Sequence, residues 1–173
     1  MAKIKSFLIS NQIVSNDVEA KNLFATSRFG EKKGEKIIYS SFESLYLTEK
    51  NKLEIFDLKD NLLETKTLLK KFEKTDKNFY TKYLAFQDLR EKGYIVKTAL
   101  KFGAEFRVYE KGKKITHDHS KWICFPVPER EKSTWQDFVA KNRVAHSTKK
   151  NLLIAIVDEE GDISYFEVKW TRV

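Results

Sequence analysis

Two hydrophobic periods alternate along the chain, and the switches between them mark out its elements. Ile4 to Leu8 and Gln12 to Val14 read as short strands around Ser10-Asn11, a pair suited to a tight turn. Asp17 to Thr26 follows as a helix, closed by the loop residues Arg28-Phe29-Gly30 and Gly34. Ile37-Ile38-Tyr39 is a β-type run. Ser40 and Glu43 then form a capping-box pair, hydroxyl and carboxylate three residues apart, which starts a helix through Leu47. Leu53 to Phe56 alternates like a half-buried strand, and Leu62 to Lys74 turns helical with Leu68, Leu69 and Phe72 on one face. The polar tract Lys74-Thr75-Asp76-Lys77 separates two units, 1–77 and 78–173.

The second unit opens with a helix from Phe79 to Lys92, with Tyr80, Tyr83 and Leu84 on one face and Gly93 as its C-terminal stop. Three β-type runs follow, Tyr94 to Leu100, Glu105 to Glu110 and Lys121 to Val127. Ser133 with Gln136 has the spacing of a second capping box and predicts a helix through Ala145. Asn151 to Asp158 is nearly all apolar, as expected of a central strand covered on both faces. Glu159-Glu160-Gly161 is a turn, and Asp162 to Thr171 alternates as a last strand. The pattern predicts an α/β (α+β) chain. A small N-terminal domain of helices with an antiparallel sheet precedes a C-terminal domain whose central mixed sheet is flanked by helices.

Composition narrows the function classes. The 173 residues carry 33 Lys+Arg against 25 Asp+Glu, a formal net charge of +8. That basic balance points to a polyanion such as nucleic acid, with a Lys-rich solubilising surface as the plainer alternative. With 41% hydrophobic residues the chain can build a core, and six Gly and two Pro exclude collagen-like or Pro-rich segments. A single cysteine, Cys124, excludes an internal disulfide and a multi-cysteine metal centre. The longest aliphatic run, Leu152 to Val157, is far short of the roughly 20 residues that span a bilayer, so a soluble cytoplasmic protein is expected.

No Walker loop, dinucleotide fingerprint, nucleophile elbow or H-E-x-x-H helix is present. His117-Asp118-His119 has a metal-like look, but no further His or Cys has ligand spacing, so no metal and no cofactor are expected. The densest polar information lies in three separated segments: Lys101 to Gly112, His117 to Trp122, and Arg143 to Lys150 ahead of the strand Asn151 to Asp158. Within and just after them stand Phe102-Gly103 through Phe106-Arg107-Val108-Tyr109, then His119-Ser120, then Ala145-His146-Ser147-Thr148-Lys149-Lys150 with the aliphatic strand and Asp158-Glu159-Glu160-Gly161-Asp162. In that order, and together with Tyr83 to Thr98, they resemble the archaeal tRNA-splicing endonucleases, or tRNA-intron lyases, of the short-subunit tetrameric type. Arg28-Phe29-Gly30 and Phe42-Glu43-Ser44-Leu45-Tyr46-Leu47 extend a fainter likeness into the first unit. The resemblance implies a restriction-endonuclease-like catalytic domain.

It also implies a catalytic triad of Tyr109, His119 and Lys150. The match chooses His119, directly before Ser120, over His117, and the later lysine, Lys150, over Lys149. These residue types suit RNA cleavage without metal. An imidazole with an unperturbed pKa near ~6.5 can protonate the departing 5′-oxygen. A phenol near ~10 can act as base towards the ribose 2′-hydroxyl only if a nearby cation assists it. An ammonium can stabilise charge on the phosphorane. Arg143 and Trp170 match positions that grip an unpaired bulge base, with an edge-strand aromatic as the plainer reading of Trp170. Asp158, Glu159, Glu160 and Asp162 match an acidic loop through which subunits of the family join into a tetramer, or else form an ordinary acidic turn.

The implied function is excision of introns from precursor tRNA at bulge–helix–bulge motifs, leaving a 2′,3′-cyclic phosphate and a 5′-hydroxyl. A homotetramer is favoured over a heterotetramer with a second subunit. The rival function is a non-catalytic RNA-binding or structural subunit. A metal-dependent nuclease is disfavoured, because no carboxylate cluster with ligand spacing is evident.

Overall fold

The structure, a computed structural model, describes residues 3–112 and 120–171, apart from the side chain of Phe102. The chain divides into two units, Met1–Phe79 and Tyr80–Val173, each built on one five-stranded sheet.

In the first unit, β1 (Ile4–Ile9) and β2 (Gln12–Ser15) form the expected hairpin. Ser10 and Asn11 both take positive φ, 47° and 64°, which matches the right-handed twist of the paired strands. Asp17 caps α1 (Val18–Ser27). A hairpin of β3 (Glu31–Lys33) and β4 (Lys36–Tyr39) follows, then α2 (Ser41–Glu49), β5 (Leu53–Phe56) and α3 (Thr65–Thr75). The strand order is β3-β4-β2-β1-β5. The antiparallel sheet expected here is in fact mixed, because β5 pairs parallel to β1. The cause is α2, which carries the chain back across the sheet before β5 joins its far edge.

The segments of the fainter likeness meet in one buried cluster. Glu43 completes the Ser40 capping box, and its second carboxylate oxygen accepts the Gly30 N–H at 3.0 Å. Phe29 stacks on Tyr46 with ring centroids 5.7 Å apart. Gly30 has φ +78°, and a Cβ there would lie 2.3 Å from Ile37 Cγ2, so both conformation and space require glycine. Phe79 is fully buried, stacked on Phe42 at 4.8 Å and tilted against Phe72 at 5.2 Å.

The second unit runs α4 (Phe79–Glu91), β6 (Ile95–Thr98), a 3-10 turn at Leu100–Phe102, β7 (Phe106–Tyr109), β8 (Trp122–Pro128), α5 (Trp135–Ser147), β9 (Asn151–Val157) and β10 (Ile163–Val168). The order β10-β9-β8-β7-β6 puts β9 inside the sheet, antiparallel to β10 and parallel to β8. Ile123, Phe125 and Leu152 pack against Ala145, Phe138 and Val144 of α5. Phe106 meets Phe86 of α4, and Tyr165 donates to Asp88 of α4 at 2.7 Å. The helices flank the mixed sheet, as the pattern predicts.

The cap of α5 lies one residue later than expected. Thr134, not Ser133, is the N-cap, and Asp137, not Gln136, reaches back to it, accepting from the Thr134 N–H at 3.0 Å and its hydroxyl at 2.6 Å. No helix among the described residues is long and apolar enough to cross a membrane.

Candidate active site

Three segments meet at one end of the second sheet. β7 arrives there with Tyr109, its last residue, whereas β8 and β9, parallel to each other, begin there. The Lys121 N–H donates to the Val108 carbonyl and the Asn151 N–H to the Lys121 carbonyl, each at 3.0 Å. Tyr109, the last residue of β7, and Ser120 and Lys150, just ahead of β8 and β9, therefore flank these rungs at one end of three adjacent strands spaced about 4.8 Å apart. His119 immediately precedes Ser120 and, like His117, lies outside the described residues.

Alternation along β7 turns Tyr109 to the same face as Arg107, whose partner Ile123 packs on α5. The tyrosine is 7% exposed. Lys150 is half-buried, and its ammonium donates to the Thr148 carbonyl at the end of α5 (3.2 Å). Both side chains thus belong to the α5 side of the sheet.

The end of α5 sets the two neighbouring lysines apart. The Lys150 N–H donates to the Ala145 carbonyl and the Lys149 N–H to the His146 carbonyl, each at 2.9 Å. This is a Schellman closure, with Lys149 in the left-handed conformation at φ 57°. The reversal leaves Lys149 exposed and feeds Lys150 into β9.

Cations and aromatic rings gather at the same end of the sheet. Lys121 lies over the Trp122 ring at 4.5 Å, Trp122 meets Tyr94 edge-on at 5.9 Å, and Lys111 lies over Tyr94 at 4.6 Å. Lys121 also pairs with Glu110 at 2.9 Å, and that hydrogen bond holds its pKa above the ordinary lysine value.

Comparison with known proteins bears directly on this arrangement. Residues 79–165 match the family model of the tRNA intron endonuclease catalytic C-terminal domain, and residues 4–69 match that of the tRNA intron endonuclease N-terminal domain. The chain belongs to the tRNA intron endonuclease family. The tRNA-splicing endonuclease of Pyrococcus horikoshii is 39% identical over 170 residues, covering 98% of this chain and 97% of the relative. That of Nanoarchaeum equitans is 43% identical over 136 residues, 75% of this chain and 86% of the relative, and that of Methanothermobacter thermautotrophicus is 37% identical over 155 residues, 88% of each. Family membership makes the chain an endonuclease of the tRNA-intron lyase class. The catalytic-domain match spans Tyr109, His119, Arg143 and Lys150 and the acidic turn, whereas Trp170 lies beyond it.

The remaining sequence-derived residues of this endonuclease fall in two places. Asp158, Glu159, Glu160 and Asp162 form the β9–β10 turn, at the opposite end of β9 from Lys150, about 20 Å away along a seven-residue strand. Asp158 builds the turn itself, accepting the Asp162 N–H at 2.8 Å, and Glu159 pairs with Arg130. Arg143 is exposed on α5, and Trp170, 53% exposed, follows β10. Sequence reasoning gave no role to His146, whose ring lies 4.5 Å from that of Trp170 at an interplanar angle of 30°. The available signal was its spacing, three residues after Arg143 on one helix.

Proposed function

We propose that the chain excises introns from precursor tRNA at bulge–helix–bulge motifs, by metal-independent attack of a ribose 2′-hydroxyl on the adjacent phosphodiester. Tyr109, as its phenolate, takes the 2′-hydroxyl proton, the 2′-oxygen bonds to phosphorus, and the phosphorus–5′-oxygen bond breaks as His119, as its imidazolium, protonates the leaving oxygen. Lys150 offsets the charge that builds on the phosphorane. The products are a 2′,3′-cyclic phosphate and a 5′-hydroxyl end. The convergence of the end of β7 with the starts of β8 and β9 carries this reading, since Tyr109, the chain just after His119 and Lys150 share one sheet end. The relatives' name, tRNA-splicing endonuclease, supplies the substrate class.

Arg143 and Trp170 grip an unpaired base, which favours bulged over fully paired RNA. The acidic turn suits docking on a basic surface of a second copy, in a cytoplasmic homotetramer. The test is purified chain, alone, with a bulge–helix–bulge RNA in excess EDTA, and its sedimentation in the same buffer. Cleavage at both bulges by a tetramer is expected. Activity absent until magnesium is added would overturn the metal-free chemistry, and activity absent until a second chain is added would overturn self-sufficiency.

A further inference from the structure

We infer that His146 is a positioning residue for RNA: its imidazole holds the Trp170 indole as a flat platform on whose free face an unpaired base stacks. The inference rests on the proposed role of Trp170 and adds the group that makes that role possible. Trp170 lies two residues past Val168, the last residue of β10, so no strand ladder fixes its backbone. An exposed indole in such a segment samples several orientations, and ordering it would weaken every base contact it makes. The ring contact with His146 covers one face of the indole and leaves the side chain 53% exposed.

His146 itself is firmly held. Its carbonyl accepts the Lys149 N–H, and the preceding Ala145, fully buried, accepts the Lys150 N–H. The Thr148 hydroxyl donates to the Val144 and Ala145 carbonyls at 3.0 Å. The imidazole thus projects from a hydrogen-bonded turn of α5 and offers that support to a residue outside the β10 ladder. Arg143 stands three residues before His146, so its Cβ lies about 5–6 Å away on the same flank of the helix. Guanidinium and indole are therefore brought to one surface, the arrangement that stacking on a splayed base requires.

Two measurements on the full chain decide the matter. Labelling with 5-fluorotryptophan gives one ¹⁹F resonance for each of the three tryptophans, and the one lost in Trp170→Phe is assigned to Trp170. In RNA-free protein that resonance should move to its solvent-exposed position in His146→Ala and stay dispersed in His146→Phe, which keeps a flat ring. With bulge–helix–bulge RNA, His146→Ala should raise KM about tenfold, the loss of one stacked base, while kcat changes by less than about twofold. His146→Phe should restore KM, and His146→Ala should add nothing in a Trp170→Ala background.

An unmoved Trp170 resonance in His146→Ala overturns the inference whatever the RNA does. So does a moved resonance with unchanged KM, a loss confined to kcat, or a fully additive double mutant. Equal affinity of the unmodified chain for bulged and fully paired RNA would instead overturn the base-gripping role of Trp170 itself.

Discussion

Two helices of the second unit end in the same turn and put it to different use. At the end of α4, the Gly93 N–H donates to the Arg90 carbonyl at 3.0 Å and the Tyr94 N–H to the Leu89 carbonyl at 2.9 Å, with Gly93 at φ 87°. At the end of α5 the same pair of bonds forms, but a lysine holds the left-handed position at φ 57°. Glycine takes that conformation without strain, whereas a residue with a Cβ pays roughly 1–2 kcal/mol for it. The turn after α4 leads into the edge strand β6. The turn after α5 leads into the interior strand β9 and sets the start of that strand beside the start of β8, whose other neighbour is β7. The same hydrogen-bond closure is a plain stop in one place and an entry to the candidate active site in the other.

The largest effects should come from the proposed catalytic residues. His119→Ala should lower kcat by about 10²–10⁴-fold, the usual worth of a positioned acid, with RNA affinity nearly intact. His117→Ala should do much less, and the reverse ranking in single-turnover cleavage would move the acid to His117. Lys150→Ala should cost about 10²–10³-fold in kcat, as loss of one charge-stabilising group does. An equal loss in Lys149→Gly would contradict the division of roles between the two lysines.

The next effects concern the turns themselves. Gly93→Ala should destabilise the fold by about 1 kcal/mol in urea unfolding; no atom lies within 4 Å of the added Cβ, so the cost is conformational alone. Lys149→Gly should run the other way, stabilising by about 1 kcal/mol while cleavage at saturating RNA persists. Opposite signs at the two positions would sharpen the comparison, and equal signs would break it.

The smallest effect lies at the other end of α5. The Thr134 hydroxyl and backbone N–H, both bonded to Asp137, hold its carboxyl below the ordinary value. A proton therefore binds more weakly in the folded chain than in the unfolded one. The stabilisation is present above the ordinary aspartate pKa and is lost as pH falls through the lowered folded value. Thermal unfolding followed from pH 7 to pH 3 should show a slightly flatter acid limb in Asp137→Asn.

Much of this was legible from local pattern. Ser40 with Glu43, Ser10-Asn11 and Gly93 are short-range signals, and each sits where its side chain or missing side chain demands. Ser133/Gln136 and Thr134/Asp137 offer the same spacing one residue apart, and the second pair prevails because the shorter Asp137 carboxylate reaches both donors of Thr134. β3 carries no readable period, since Glu31–Lys33 is charged and wholly exposed. The parallel pairing of β5 with β1 joins residues about 50 positions apart, which no local window contains. The placement of Tyr109 and Lys150 at one end of the sheet has the same character, because it is set by strand order. His146 stayed unassigned because its partner Trp170 lies on a different element, 24 positions along the chain.

The central claim is that the attacking group belongs to the substrate and that Tyr109, His119 and Lys150 act on one phosphodiester. A bulge–helix–bulge RNA with a single 2′-deoxy nucleotide at one cleavage position tests this most directly. The account predicts binding close to that of the all-ribose RNA, no cut at the deoxy linkage, and an undiminished cut with a 2′,3′-cyclic phosphate end at the other site. Cleavage of the deoxy linkage at the all-ribose rate would contradict it.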